Sequence, residues 1–383
     1  MKTASRTRDP RLDFFRGIAM FIIFIAHLPA NGWALWIPAR FGFSDATEIF
    51  VFCSGMASAI AFGRVFELHG LAMGSARVLY RVWQVYWAHI CLFFAVAGML
   101  AFLQINGLSS DDYVGKLNLW HFFEDPIFQL PALLTLTYVP NYFDILPMYL
   151  VILAMLPLVM VAYYKIGRGA VAALVATFWL LATFRFVDFP AEPWSDRRWF
   201  FNPFAWQLLF FTGFAFIKGW IPAPPVKKRL LFVSTAIIIL TIPFAYFRIL
   251  NEVPELRKIA GDIRFLTVKT EMGLLRYIHF LALAYVAWVA VGQGGGRLLM
   301  EGFGGKVVRV IKRVGQQSLA VFLASLILAQ GLAVLRDELG LKGTFSGGVM
   351  ANLLGFAGLI AVAYAVGWFK GEPWRKPKET PGS

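Results

Sequence analysis

Long apolar runs separated by short polar segments dominate the chain. About 20 consecutive apolar residues carry a helix across roughly 30 Å of hydrocarbon. Ten stretches approach that length: 14–31, 46–66, 82–104, 144–164, 169–186, 204–220, 229–248, 275–292, 316–335 and 346–369. The pattern predicts an all-α polytopic membrane protein with about ten transmembrane helices. A single transmembrane domain (14–369) lies between a short N-terminal segment (1–13) and a polar tail (370–383) expected to be disordered. The stretch 120–143 is also apolar, but Pro126, Pro131 and Pro140 interrupt it, which suits an interfacial or re-entrant segment. The start of the chain is basic, yet no small-residue cleavage site follows the first apolar run, so that span is expected to be retained.

Charge sets the orientation. With the N-terminus inside and residues at span ends counted with the nearer side, 23 of the 36 Lys and Arg fall on the inner side. Of the 22 acidic residues, 16 fall outside. Cytoplasmic loops concentrate Lys and Arg, so both termini are expected in the cytoplasm. The net charge of +14 is therefore mainly a topology signal and does not point to nucleic acid. Cys53 and Cys91 fall within apolar runs, with no disulfide framework or metal-ligand spacing around them. The Gly-rich segment 292–296 lacks the strand and Lys of a phosphate-binding loop. No repeat of fixed period is visible.

The first apolar helix, RLDFFRGIAMFIIFIAH (11–27), keeps Asp13, Arg16 and His27. At about 100° and 1.5 Å per residue, these three and Asn31 share one face, with Arg16 and His27 about 16 Å apart along the axis. Ionisable groups inside spans face a protein interior or a cavity and mark function, whereas an Arg at a helix end also serves as a snorkelling anchor. Imidazole takes up a proton near neutral pH, so His27 is the candidate general base. Asp45 and Glu48 open the second span on the His27 side, followed by the small-residue stripe Gly55, Ala59 and Gly63. That stripe would let the first two spans pair closely and bring either carboxylate to the imidazole. Arg77 and Arg81 lie at the cytoplasmic end of the third span, at a depth similar to Arg16. They read as membrane anchors or, with Arg16, as a phosphate clamp. Asp144, Asn202, Gln207, Arg276 and His279 sit at outer ends of spans near Trp194, Trp199 and Trp206, a set suited to binding sugar hydroxyls and ring faces. No His or carboxylate ligand pair with metal spacing accompanies them.

These residues carry a resemblance. The Arg16–His27 spacing, FVFCSG (50–55), RVLYRVWQVYW (77–87) and the Gly-x-x-Ser of VGQQSLAVFLAS (314–325) resemble the membrane acyltransferase-3 superfamily. More closely, RDPRLDFFRGIAMFIIFIAH, FGFSDATEIFVFCSGMASAIAFG, FNPFAWQLLFFTGF and YIHFLALAYV resemble the OpgC family, over roughly 8–370. The resemblance implies an acyltransferase-3-like bundle in the bacterial inner membrane that moves succinyl groups to periplasmic glucans. It implies acyl-CoA, with succinyl-CoA foremost, as the donor, no permanently bound cofactor, and glucan and membrane lipid as partners. It also implies His27 as the catalytic base and Arg16 as a CoA-side or structural partner, and the residue reading adds Glu48 or Asp45 to orient the imidazole. Many acyltransferase-3 sequences carry a His after the Gly-x-x-Ser motif, where this chain has Ala324 and Ser325. A succinyl carboxylate would need a cation near His27, and Arg276 or Arg40 could supply it. Two alternatives stay open: O-acetyl transfer to an envelope polysaccharide, and a polysaccharide or lipid transporter.

Overall fold

The computed structural model describes residues 9–375. The basic residues of 1–8 and the polar tail beyond Arg375 lie outside the described residues. Among the described residues no β-strand forms; one isolated bridge joins Pro190 and Arg198. The longer helices are α1 (Pro10–His27), α2 (Ala46–Ser58), α3 (Arg64–Ile105), α4 (Ile145–Lys165), α5 (Arg168–Thr183), α6 (Pro203–Lys218), α7 (Lys228–Thr241), α8 (Leu274–Ala290), α9 (Gly302–Gln316), α10 (Ser318–Glu338) and α11 (Phe345–Lys370).

Every apolar stretch read from the sequence falls on one of these helices, and α9 is an addition. Among the described residues, four helical stretches are long and apolar enough to cross a membrane: Ala46–Ile105, Ile145–Lys165, Ser318–Glu338 and Phe345–Lys370. A fifth is counted if α8 and the short helix Gln293–Leu299, bent by 65°, form one span. The architecture is that of a helical membrane protein.

Several helix starts follow from local chemistry. Asp9 caps α1 by accepting from the Arg11 backbone N–H, with Pro10 in the first turn. Asp45 and Glu48 form a reciprocal capping box on α2. Asn202 caps α6 ahead of Pro203. One expected loop is absent: α2 runs through a π-helical turn (Ala59–Gly63) directly into α3. No proline stops the helix between 64 and 105. The break falls instead at Gly70, whose φ of 75° and ψ of −177° suit only glycine.

Backbone contacts at glycines lock the bundle. A Cβ on Gly17 would lie 2.0 Å from the Ile311 carbonyl oxygen, and one on Gly315 would lie 1.9 Å from that of Asp13, so α1 and α9 cross backbone to backbone. The same reciprocity joins α2 to α6: a Cβ on Gly55 would lie 1.9 Å from the Phe210 carbonyl oxygen, and one on Gly213 would lie 2.3 Å from that of Phe52. The small-residue stripe of the second span therefore binds α6, not α1. At the His27 end, buried polar contacts fasten the bundle. Asn31 and Asn352 exchange hydrogen bonds of 3.0 and 2.9 Å. Arg336, 1% exposed, donates to the Pro29 carbonyl at 2.8 Å and pairs with Asp337. In the loop after α3, hydrogen bonds from Lys116 and Lys342 hold the Asp111 carboxyl down at about 2.

A side chain at Gly55 must push α6 away. Overpacking of this kind costs about 1–3 kcal/mol, so Gly55→Val should lower the thermal unfolding midpoint in detergent by several degrees. Gly98→Ala, where a Cβ meets nothing within 4 Å, should leave the midpoint unchanged or raise it.

Candidate active site

The face of α1 that carries Arg16 and His27 opens onto two separate cavities. At the His27 end, a cavity of about 940 Å³ is lined by His27, Asp45, Tyr142, Asp144, Asn202 and Lys269, among others. At the Arg16 end, one of about 790 Å³ is lined by Arg16, Arg77, Arg81 and Lys370, with the aromatic rings of Tyr80, Trp83, Trp87 and Tyr149. His27, Asp45, Asp144, Asn202 and Trp199 thus face one cavity and Arg16, Arg77 and Arg81 the other, as the sequence groups them.

Around His27 the imidazole packs edge-on against Tyr142, with centroids 5.3 Å apart, and against Phe322 at 6.3 Å. Its Nδ1 is buried without a hydrogen-bond partner. Neither expected carboxylate is hydrogen-bonded to it. Glu48 is fully buried and is held by Arg276 at 2.8 Å and by the Asp45 backbone N–H at 2.8 Å. Asp45 accepts from the Thr47 backbone N–H at 2.7 Å and is ion-paired to Lys269. Burial opposes the charge on Asp45, but the Lys269 ammonium beside it holds the carboxyl well below its usual value. Capping and ion pairing occupy both groups, which accounts for their leaving His27 alone.

Most of the other residues expected to bind substrate make hydrogen bonds within the framework. Arg276 donates to Glu48 and to the Thr267 carbonyl at 3.1 Å, and does not line the cavity. Nδ1 of His279 is 2.7 Å from the Ser44 hydroxyl, and its ring fills the space over Gly42, which locks the loop before α2 onto α8. Gln207 donates to the Val175 carbonyl at 2.8 Å and ties α6 to α5. Asn31 is spent on Asn352, and Asp13 lies at the opposite end, where it accepts from Gln316 at 3.2 Å. Asn202 lines the cavity, although its side chain caps α6 and reaches the Val187 carbonyl. Asp144 also lines it and accepts from the Phe200 backbone N–H at 3.2 Å. The expected tryptophan platform is mostly framework as well. Trp206 donates to the Lys269 carbonyl at 2.9 Å, Trp199 donates to that of Leu136 at 3.2 Å, and Trp194 lies tilted against His121 with ring centroids 4.0 Å apart. The more open rings on the cavity are Tyr142 and Phe200, 43% and 47% exposed.

Sequence reasoning missed Lys269 and Tyr142. Both sit in loops with no periodicity to mark them. Lys269 stands over the Phe201 ring at 5.5 Å, and its backbone is fixed by the Trp206 indole.

At the Arg16 end the Gly-x-x-Ser segment has a geometric meaning. Gly315 lets α9 touch α1, and three residues on, the Ser318 hydroxyl accepts from the Arg16 guanidinium. Ser318, Leu319 and Ala320 are the first turn of α10 and line this cavity. Lys370 donates to Gln317 at 2.7 Å, and Arg81 donates to Gln84 at 3.2 Å. The hydroxyl of Ser325 donates to the Phe322 carbonyl and is fully buried.

Residues 8–371 match the family described as OpgC protein. The chain belongs to the OpgC family. It is thereby a membrane acyltransferase of the glucan-modifying kind. No curated protein and no solved structure matches it.

Removing one partner of a buried ion pair leaves an uncompensated charge and costs about 3–5 kcal/mol. Glu48→Ala should therefore lower the unfolding midpoint strongly, and activity should fall with the folded fraction. Activity per folded molecule unchanged from wild type would mark Glu48 as scaffold; a large loss in fully folded protein would return it to the chemistry.

Proposed function

We propose that this OpgC-family chain transfers a succinyl group from succinyl-CoA to hydroxyls of a periplasmic glucan. It would do so in the bacterial inner membrane, with about ten crossings and both termini in the cytoplasm. The observation that carries the reading is the division of α1: Arg16 opens onto a cationic cavity at one end and His27 onto a mixed-charge cavity at the other.

The donor belongs at the Arg16 end. Arg16, Arg77 and Arg81 offer planar, multidentate donors for phosphate, Lys370 adds a fourth cation, and the first turn of α10 presents a helix N-terminus, which favours anions. Trp83 and Trp87 line the same space and suit an adenine ring. From there an extended pantetheine arm reaches along α1 toward His27.

The acceptor belongs at the His27 end. A glucan hydroxyl enters between Asp144, Asn141 and the open ring of Tyr142. His27 removes the hydroxyl proton as the oxygen attacks the thioester carbonyl. The C–O bond forms, the C–S bond breaks, and the CoA sulfur leaves with the proton returned from the imidazolium. An acyl-His27 intermediate is an equally balanced two-step route. The cation for the distal succinyl carboxylate is Lys269. Arg276 is committed to Glu48, and Arg40 donates to the Ala34 carbonyl away from the cavity.

General base catalysis contributes about 10²–10⁴-fold. With radiolabelled succinyl-CoA and periplasmic glucan, purified His27→Gln should lose that factor in kcat while keeping the wild-type unfolding midpoint. No label transfer to glucan by folded wild-type protein, with succinyl-CoA or acetyl-CoA as donor, would overturn the reading in favour of a transporter.

Lys269→Met should lower the ratio of succinyl to acetyl transfer at least tenfold, with Lys269→Arg restoring most of it. An unchanged ratio would remove Lys269 from donor selection and favour the acetyl reading.

A further inference from the structure

Tyr142 holds a backbone conformation that a bulky side chain rarely adopts. Its φ is 71°, in the left-handed region. For residues other than Gly, Asn and Asp such a conformation persists only where the surroundings force it, and it concentrates at functional sites. The surroundings here do force it. Before Tyr142, the Asn141 backbone N–H donates to the Leu117 carbonyl at 3.1 Å. After it, Phe143 is 1% exposed and its N–H donates to the Pro140 carbonyl at 3.2 Å. Strain gathers elsewhere on the same wall. Arg185, with φ 60°, lines the cavity, and Met272, with φ 46°, follows the lining residue Glu271.

Stability alone does not account for a tyrosine at this position. The residue is 43% exposed, so its ring gains little from burial. Glycine or asparagine would hold the same turn with less strain. What the ring does contribute is a contact with His27 at 5.3 Å. That contact matters because no carboxylate or carbonyl orients the imidazole: Nδ1 is buried and unpartnered. In most His-based catalysts a hydrogen bond to one ring nitrogen sets the direction of the other. Here packing is the force left to do it.

We infer that Tyr142 is a positioning residue for acyl transfer, whose ring, with that of Phe322, holds the His27 imidazole in the orientation that presents Nε2 to the cavity. This rests on the reading of His27 as the base. The strained turn is retained because it delivers the ring edge-on to the imidazole, where a relaxed turn would not.

The test uses purified full-length protein with radiolabelled acyl-CoA and glucan. Tyr142→Asn relaxes the turn and removes the ring; Tyr142→Phe keeps the ring. Tyr142→Asn is expected to unfold at or above the wild-type temperature, to lose at least tenfold in kcat with little change in KM for acyl-CoA, and to shift the acidic limb of the pH–rate profile. Tyr142→Phe should restore kcat to within about threefold. In a His27→Gln background, Tyr142→Asn should cause no further loss. Three results would overturn the proposal: a kcat for Tyr142→Asn within twofold of wild type, a loss accompanied by a lower unfolding temperature, or an equal loss in Tyr142→Phe. Full activity in His27→Gln would instead remove the base itself, and this inference with it. An inactive His27→Gln beside a fully active Tyr142→Asn would remove only the role of Tyr142.

Discussion

The crossing of α1 and α9 is the contact on which the rest depends. Two helices approach this closely only where both lack a Cβ at the contact. Gly17 meets the Ile311 carbonyl and Gly315 meets that of Asp13, so each helix supplies the glycine the other needs. Because α9 leads into α10 through a single residue, the same crossing sets the first turn of α10 against Arg16. It also sets the axial position of α1, and with it the depth of His27 at the far end. Without that fit, the cationic cavity would lose Arg16 or the other cavity would lose its imidazole.

Buried polar groups in this bundle fall into two kinds. Most are paired with partners that belong to the framework. Glu48 with Arg276, Arg336 with Asp337 and Asn31 with Asn352 fasten loops and helix ends at the His27 side. Buried ion pairs add little net stability against apolar replacements, but breaking one is costly, so they act mainly by specifying a single arrangement. His27 is of the other kind. A missing partner does not by itself mark a site: His89 is fully buried with neither ring nitrogen bonded, and it lines neither cavity. His27 differs because a cavity reaches it and an ordered aromatic wall surrounds it.

Much of the helical layout was legible because it depends on local rules. Apolar length located the helices, while the starts of α1, α2 and α6 are set by the local caps Asp9, Asp45 and Asn202. The one-face stripe of Arg16 and His27 followed from helix geometry alone. What was not legible depends on which helix meets which. The Gly55 stripe announced a close neighbour without saying that it was α6, and nothing local showed that Asp45 and Glu48 pair with Lys269 and Arg276. Arg276 and His279 looked like ligands because they are polar and at a span end. Their partners, Glu48 and Ser44, come from residues over 200 positions away. Lys269 and Tyr142 lie in loops, where the chain path is set by tertiary contacts such as the Trp206 indole and the Leu117 carbonyl.

The two cavities do not merge, and the reason lies in a ring pair. On α2, Ala46 and Thr47 line one cavity while Ala57 and Ser58 line the other, and Phe50 falls between. On α10, Leu323 lines the Arg16 side while its neighbour Phe322 touches His27. Phe50 and Phe322 stack with centroids 6.1 Å apart and are almost fully buried. On the proposed reading, an acyl chain travelling from the cationic cavity to His27 would pass beside this pair. Such a barrier suits group transfer better than passage of a whole solute. It would keep bulk water from a thioester held there, where hydrolysis would compete with transfer. The same Phe322 ring that stands between the cavities also packs against the imidazole, so on the proposed reading the residue that separates donor from acceptor would help to aim the group that joins them.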